Sequence, residues 1–222
     1  MFVLLWAVML AGVAASAQQR QPGRGVNLYS MEREAKLGAT LAEEVRRNST
    51  ALDSALAQNY VERLGRQLAA QLPGDGIKYT FEIIADKTAG PTNQLHEPIA
   101  LPGGYLFVPA GLFLAAQDEA EFAGMLAHAM ARGFESEADL LAAQAMARAG
   151  YDPGALIRYI KRVQIDRTDQ PKVFSPLPLR DARIAALEQV IRGLPAQRYS
   201  SSEEYQRVQE EVRGLTQKRP EP

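Results

Sequence analysis

The sequence predicts an α+β fold, mostly α, with a small sheet of about three strands. Apolar residues recur every three to four positions over most of the chain, whereas the stretch 77–108 alternates or runs extended around glycine and proline. Composition agrees, because 222 residues with 46% hydrophobic and 23% charged side chains suffice for one compact core. Lys and Arg number 25 against 26 Asp and Glu, and the formal net charge of -1 disfavours nucleic acid as a partner. Without cysteine there is no disulfide scaffold, thiolate zinc site or cysteine nucleophile. Only His96 and His128 remain as nitrogen ligands for a metal.

Residues 1–17 carry no charged side chain and end in Ala15-Ser16-Ala17, the small-x-small pattern of a signal-peptide cleavage site. They are read as a signal peptide, followed by a polar linker at 18–26, and export to the periplasm or medium follows. The apolar run falls short of the roughly 20 residues a spanning helix needs, so no stable span is expected after cleavage, a retained anchor being the alternative. The basic start usual for a signal peptide is missing, which leaves the start of the chain open.

Leu37, Leu41 and Val45 recur every four residues, as do Leu56, Tyr60, Leu64 and Leu68 after Asp53, and each set predicts an amphipathic helix, the second capped by Asp53. Ile77, Tyr79, Phe81 and Ile83 alternate as in a half-buried strand. Two extended runs flank Pro102-Gly103-Gly104, where glycine permits positive φ. Asp118 and Glu121 resemble a capping box opening an alanine-rich helix to about Arg132. A second helix runs from Glu135 to a glycine cap at Gly150, and Tyr151-Asp152-Pro153 opens a third. Two more fit Arg180 to Arg192 and Ser202 to Arg213, and the tail 216–222 is expected to be disordered.

The order of these pieces resembles the M48 family of zinc metallopeptidases, whose exported bacterial members share several motifs with it. Glu32-Arg-Glu-Ala-Lys-Leu-Gly38, Tyr60-Val-Glu-Arg-Leu-Gly65 and Tyr79-Thr-Phe-Glu-Ile83 are similar to the family's opening, and Ala100-Leu-Pro-Gly-Gly-Tyr-Leu-Phe-Val108 to its edge strand. Glu135-Ser-Glu-Ala-Asp139 and Ala149-Gly-Tyr-Asp-Pro153 match its E-x-x-A-D and A-G-Y-D-P. The resemblance implies a zincin-like domain over 27–215, with substrate lying along an edge strand that includes Tyr105 and Phe107.

The family's H-E-x-x-H supplies two zinc ligands and a general base from one helix face. This sequence reads His128-Ala129-Met130-Ala131-Arg132, placing Ala129 at the general-base position and Arg132 where the second ligand would stand. His128 and Glu135 are left as metal ligands if any metal is bound, with Asp139 in support. A further family histidine, before a proline in the segment leading to an Arg-Ile helix, is replaced by Leu177. Only Gly133 and Phe134 separate Arg132 from Glu135, leaving little room for a helical hairpin. Were the helix to run straight on, His128 and Glu135 would stand about 10.5 Å apart along its axis, too far to share a metal. His128, Arg132, Glu135 and Asp139 would then form one stripe, with Arg132 able to pair with Glu135. Such a stripe is either a solvated face or a buried relic of the metal cleft. His128 reads as a structural histidine, and His96 as a surface one or a substitute ligand. Asn48-Ser-Thr50 is a glycosylation sequon, relevant only in a host that uses it.

The expectation is therefore a catalytically inactive module of the cell envelope, without cofactor, binding extended peptides or envelope proteins. The alternatives are an active zinc metalloendopeptidase with unconventional ligands, and a structural role without a peptide groove.

Overall fold

Helix α1 (Met31–Asn48) opens the computed structural model, which describes residues 31–73, 77–85, 96–132, 138–163 and 180–217. The segments at 1–17 and 18–26, and also Glu135 and Leu177, lie outside the described residues. The buried face of α1 is not its leucine face. Leu37 and Leu41 are 49% and 37% exposed, while Gly38 and Ala42 are buried. A Cβ on Gly38 would stand 1.8 Å from the Pro102 carbonyl oxygen, so backbone meets backbone there and close approach outweighs the side-chain pattern.

A two-residue strand, β1 (Thr50–Ala51), leads into α2 (Ala55–Ala69). Ser54 caps α2 by accepting from the Ala57 N–H, so the cap falls one residue after the expected Asp53. Strands β2 (Thr80–Ala85), β3 (Ile99–Leu101) and β4 (Tyr105–Pro109) complete a four-stranded sheet in the order β1-β2-β4-β3. β2 and β4 run parallel with Phe81 opposite Leu106, and β3 is antiparallel to β4 with Leu101 opposite Tyr105. The turn between β3 and β4 is the expected Pro102-Gly103-Gly104, with Gly103 at φ 75.

The side-chain period of two divides the sheet cleanly. Phe81, Ile83, Leu106 and Val108 enter the main core, whereas Ile84 and Phe107 pack with Ala42 under α1. Arg46 of α1 spans that second face, its guanidinium over the Phe107 ring and hydrogen-bonded to Glu82.

The chain continues through α3 (Ala110–Ala115), α4 (Glu119–Ala131), α5 (Ala138–Arg148), α6 (Gly154–Val163), α7 (Arg180–Arg192) and α8 (Glu203–Gln217). Every residue of α4 is buried, which makes it the central helix and explains its lack of a polar face. Asp118 caps it as expected, accepting from Glu121 N–H at 2.9 Å. Gly150, at φ 93, ends α5 as the glycine signal implied, with Tyr151 N–H reaching back to Met146 O at 2.9 Å. Residues 216 and 217 belong to α8 rather than to a disordered tail.

Candidate functional site

The helix does not run straight from His128 to Asp139. A straight path would separate them by about 16.5 Å of rise, yet His128 Nδ1 lies 2.8 Å from Asp139 Oδ1. α4 stops at Ala131, α5 begins at Ala138, and the two pack along each other as a hairpin. The short connector therefore suffices, because the small residues Ala127, Ala131, Ala138, Ala142 and Ala143 are buried and let the helices close tightly.

His128 is buried, and Arg183 closes the group from α7. Its Nε donates to Asp139 Oδ2 at 2.7 Å and its Nη2 to Oδ1 at 2.9 Å. The contact from His128 Nδ1 reaches ion-pair distance but is out of line for a hydrogen bond. Burial alone would push the Asp139 carboxyl up; the Arg183 hydrogen bonds and the neighbouring His128 reverse this and hold it well below the usual carboxylate range. Nothing local in the sequence assigns Arg183 to the site, although the Arg-Ile pair near 183 marks its helix.

Ala129 is buried beside His128, and Arg132 is exposed at the end of α4. The buried reading of the stripe therefore holds for His128 and fails for Arg132, whose expected pairing with Glu135 lies outside the described residues. His96 is engaged elsewhere: its Nδ1 sits 3.2 Å from Gly111 O, and its carbonyl accepts from Tyr159 Oη at 2.8 Å. Tyr105 and Phe107 do not line an outer edge. They stand on β4, between β2 and β3 in the sheet, and Phe107 packs under α1.

The far end of α4 is anchored by carboxylates. Glu119, 4% exposed, accepts from Tyr60 Oη at 3.0 Å, Tyr151 Oη at 3.1 Å and Tyr199 Oη at 3.1 Å. Burial, reinforced by this carboxylate, pushes the Tyr60 and Tyr151 phenols up. Glu121 is paired with Arg162 of α6, and Asp118 with Arg158. These contacts fix the helix that carries His128 to α2, α6 and the segment before α8.

The sequence model of peptidase family M48 matches residues 129–191, which run from the residue after His128 through α5 and α6 to the end of α7. Over that stretch the chain is similar to the M48 peptidase family. It is also 28% identical over 102 residues to a protein of Vibrio cholerae serotype O1 named as a beta-barrel assembly-enhancing protease. That match covers 46% of this chain and 20% of the relative's length, so the chain spans about a fifth of it. The mostly helical architecture with a small mixed sheet is consistent with an M48 peptidase-like domain.

M48 domains are typically zinc-dependent. The described residues around His128, which do not include Glu135, do not fit that metal. The position four residues on presents a guanidinium where a zinc site needs a neutral imidazole, and both oxygens of Asp139 are taken by Arg183. Among the described residues no group of three His, Cys, Asp or Glu could hold a metal ion.

Proposed function

We propose that this M48-like chain is a non-catalytic module of the cell envelope that holds extended segments of peptides or envelope proteins without cutting them. The observation that carries the reading is the pair Ala129 and Arg132 on the helix of His128. A methyl group stands where a zinc peptidase keeps its general base, and a fixed positive charge stands in place of a ligand. Loss of a general base alone slows such hydrolysis by about 10²- to 10⁴-fold, and loss of a ligand removes the metal that makes water nucleophilic at neutral pH.

Peptide binding by strand addition needs no metal. The sheet offers β3 as an outer strand, with Ile99, Ala100 and Leu101 all half-buried, and a peptide added there would hydrogen-bond to its backbone. An exported location is supported by Ala15-Ser16-Ala17 and by the envelope-related name of the relative. Among the described residues no helix is long and apolar enough to cross a membrane.

The contact between His128 and Asp139 favours the second reading, an active zinc endopeptidase, because a carboxylate on one imidazole nitrogen orients the other toward a metal. Zinc analysis of the purified full chain, with a proteolysis assay on unfolded protein, separates the two. The expected result is substoichiometric zinc and no cleavage. One tightly bound zinc with chelator-sensitive proteolysis overturns the proposal. Ala129→Glu with Arg132→His rebuilds the helix motif, and with Leu177 unchanged its zinc binding is expected to stay weak.

A further inference from the structure

We propose that Arg132 anchors a carboxylate of the bound peptide, offering a fixed positive charge where a zinc peptidase offers its metal. The inference rests on the reading above, that an extended segment is held along β3, and names the chemistry that segment carries. The described residues around His128 do not fit zinc, and the residue that breaks the fit is itself a cation. Arg132 closes α4 as its C-cap, one turn beyond His128 on the same helix face, and its side chain is exposed. The His128 imidazole is buried beside Asp139, so only the guanidinium is open to a group arriving from solvent. Among the described residues no carboxylate pairs with it, whereas Arg158, Arg162 and Arg183 on the helices around α4 each hold an acid of their own.

α4 carries this charge to the open end of the sheet. The helix packs against β3 and β4, and its last turn is tied to the sheet where Tyr79 Oη donates to Met130 O at 3.3 Å. Tyr79 immediately precedes Thr80, which stands opposite Tyr105, and Tyr105 stands opposite Leu101, the last residue of β3. Met130 and Leu101 therefore mark the same end of the sheet, and Arg132 follows Met130 by two residues. A segment paired outside β3 passes that end. There the guanidinium selects by shape, because its planar fork of donors matches the two oxygens of a carboxylate, while an amide carbonyl offers one. A metal polarises a neutral carbonyl; a guanidinium in its place favours a carboxylate, from an acidic side chain or from the peptide's own C-terminus. With a formal net charge of -1 the chain exerts no general pull on anions, which makes the preference local to this residue.

Fluorescence-anisotropy titrations of the full chain with two sets of labelled extended peptides test the assignment. In the first set a glutamate, or a glutamine in its place, is moved along a neutral sequence with an amidated C-terminus. In the second there is no acidic side chain, and the peptide ends in a free carboxylate or an amide. The expected result is that in one of the sets the carboxylate member binds about three- to tenfold tighter, which also identifies the source of the carboxylate. That advantage should shrink with added salt, vanish in Arg132→Gln and return in part in Arg132→Lys. Equal binding within both sets, or an advantage that Arg132→Gln leaves intact, overturns the role of Arg132 while the binding module stands. If the unmodified chain binds neither acidic nor neutral peptides, strand addition fails and this inference fails with it.

Discussion

Asp139 receives both Nε and Nη2 of Arg183, at 2.7 and 2.9 Å, in a site where Arg183 is 6% exposed. A two-pronged pair of this kind fixes the angle between α5 and α7, and it also settles what Asp139 can do for His128. Removing the guanidinium leaves a carboxylate in the core without its main partner. Arg183→Ala is expected to destabilise the fold by about 3–5 kcal/mol in urea denaturation. Arg183→Lys keeps the charge but not the fork and should fall between Arg183→Ala and the unchanged protein. If Arg183→Ala melts like the unchanged protein, the pair does not hold α7.

The same pair sets an acid limit. Asp139 is held below its ordinary value, so its contribution to stability is present above the unfolded carboxyl's pKa of about 3.9 and is lost as pH falls through the lower folded value. Denaturation midpoints measured between neutral pH and pH 2 should fall in this window, and Asp139→Asn should flatten that part of the curve.

The phenols set an alkaline limit of opposite sign. Burial raises Tyr60, Tyr151 and Tyr205, so their contribution is complete below the unfolded phenol's pKa of about 10 and declines as pH rises above it. Tyrosinate absorbance should appear together with loss of helical circular dichroism, rather than before it. A fully folded protein with all its phenols ionised would contradict this.

Glu119 accepts from three tyrosine hydroxyls, and its loss strands the two on buried residues, Tyr60 and Tyr151, together. Glu119→Ala is expected to cost about 3 kcal/mol or more, read from thermal or urea unfolding. Tyr199→Phe should cost less than about 1 kcal/mol, because Tyr199 is 45% exposed and the carboxylate keeps two other donors.

On α1 the large and small residues exchange their usual importance. Gly38→Ala puts a methyl into the Pro102 carbonyl and should loosen α1 from the sheet, at a cost of about 1–3 kcal/mol. Leu37→Gln, on the exposed side, should stay within about 0.5 kcal/mol of the unchanged protein. Paired melting curves of the two variants decide it.

Much of the fold could be read from short-range chemistry. Asp118 as a cap, Gly103 at positive φ and the end of α5 at Gly150 all follow from which residues tolerate those conformations. Tertiary contacts overrode the rest. Leu37 and Leu41 carry a helical period, but backbone proximity at Gly38 chose the buried face, and nothing local signals that approach. The family resemblance implies an edge position for the strand with Tyr105 and Phe107, but no local pattern says which neighbour pairs outside it, and β3 does. At the site, the sequence points to His128 and Asp139 separately, while their meeting across a hairpin depends on how tightly alanine-lined helices can turn. Arg183 acts across 44 residues, a separation that no local pattern encodes.

The polar ties before α8 have a practical meaning for anyone dividing this protein. The match to the peptidase family ends at residue 191, yet Ala120 N–H is satisfied by Ser200 O at 2.8 Å, Asp152 N–H by Tyr199 O at 3.1 Å, and Tyr205 seals the rings of Tyr60 and Phe122. A fragment cut at the family boundary would lay open the aromatic floor beneath the central helix and strand the Ala120 amide at its start. The smallest piece fit for expression must therefore reach the end of α8, and a recombinant boundary drawn from sequence similarity alone would yield insoluble material.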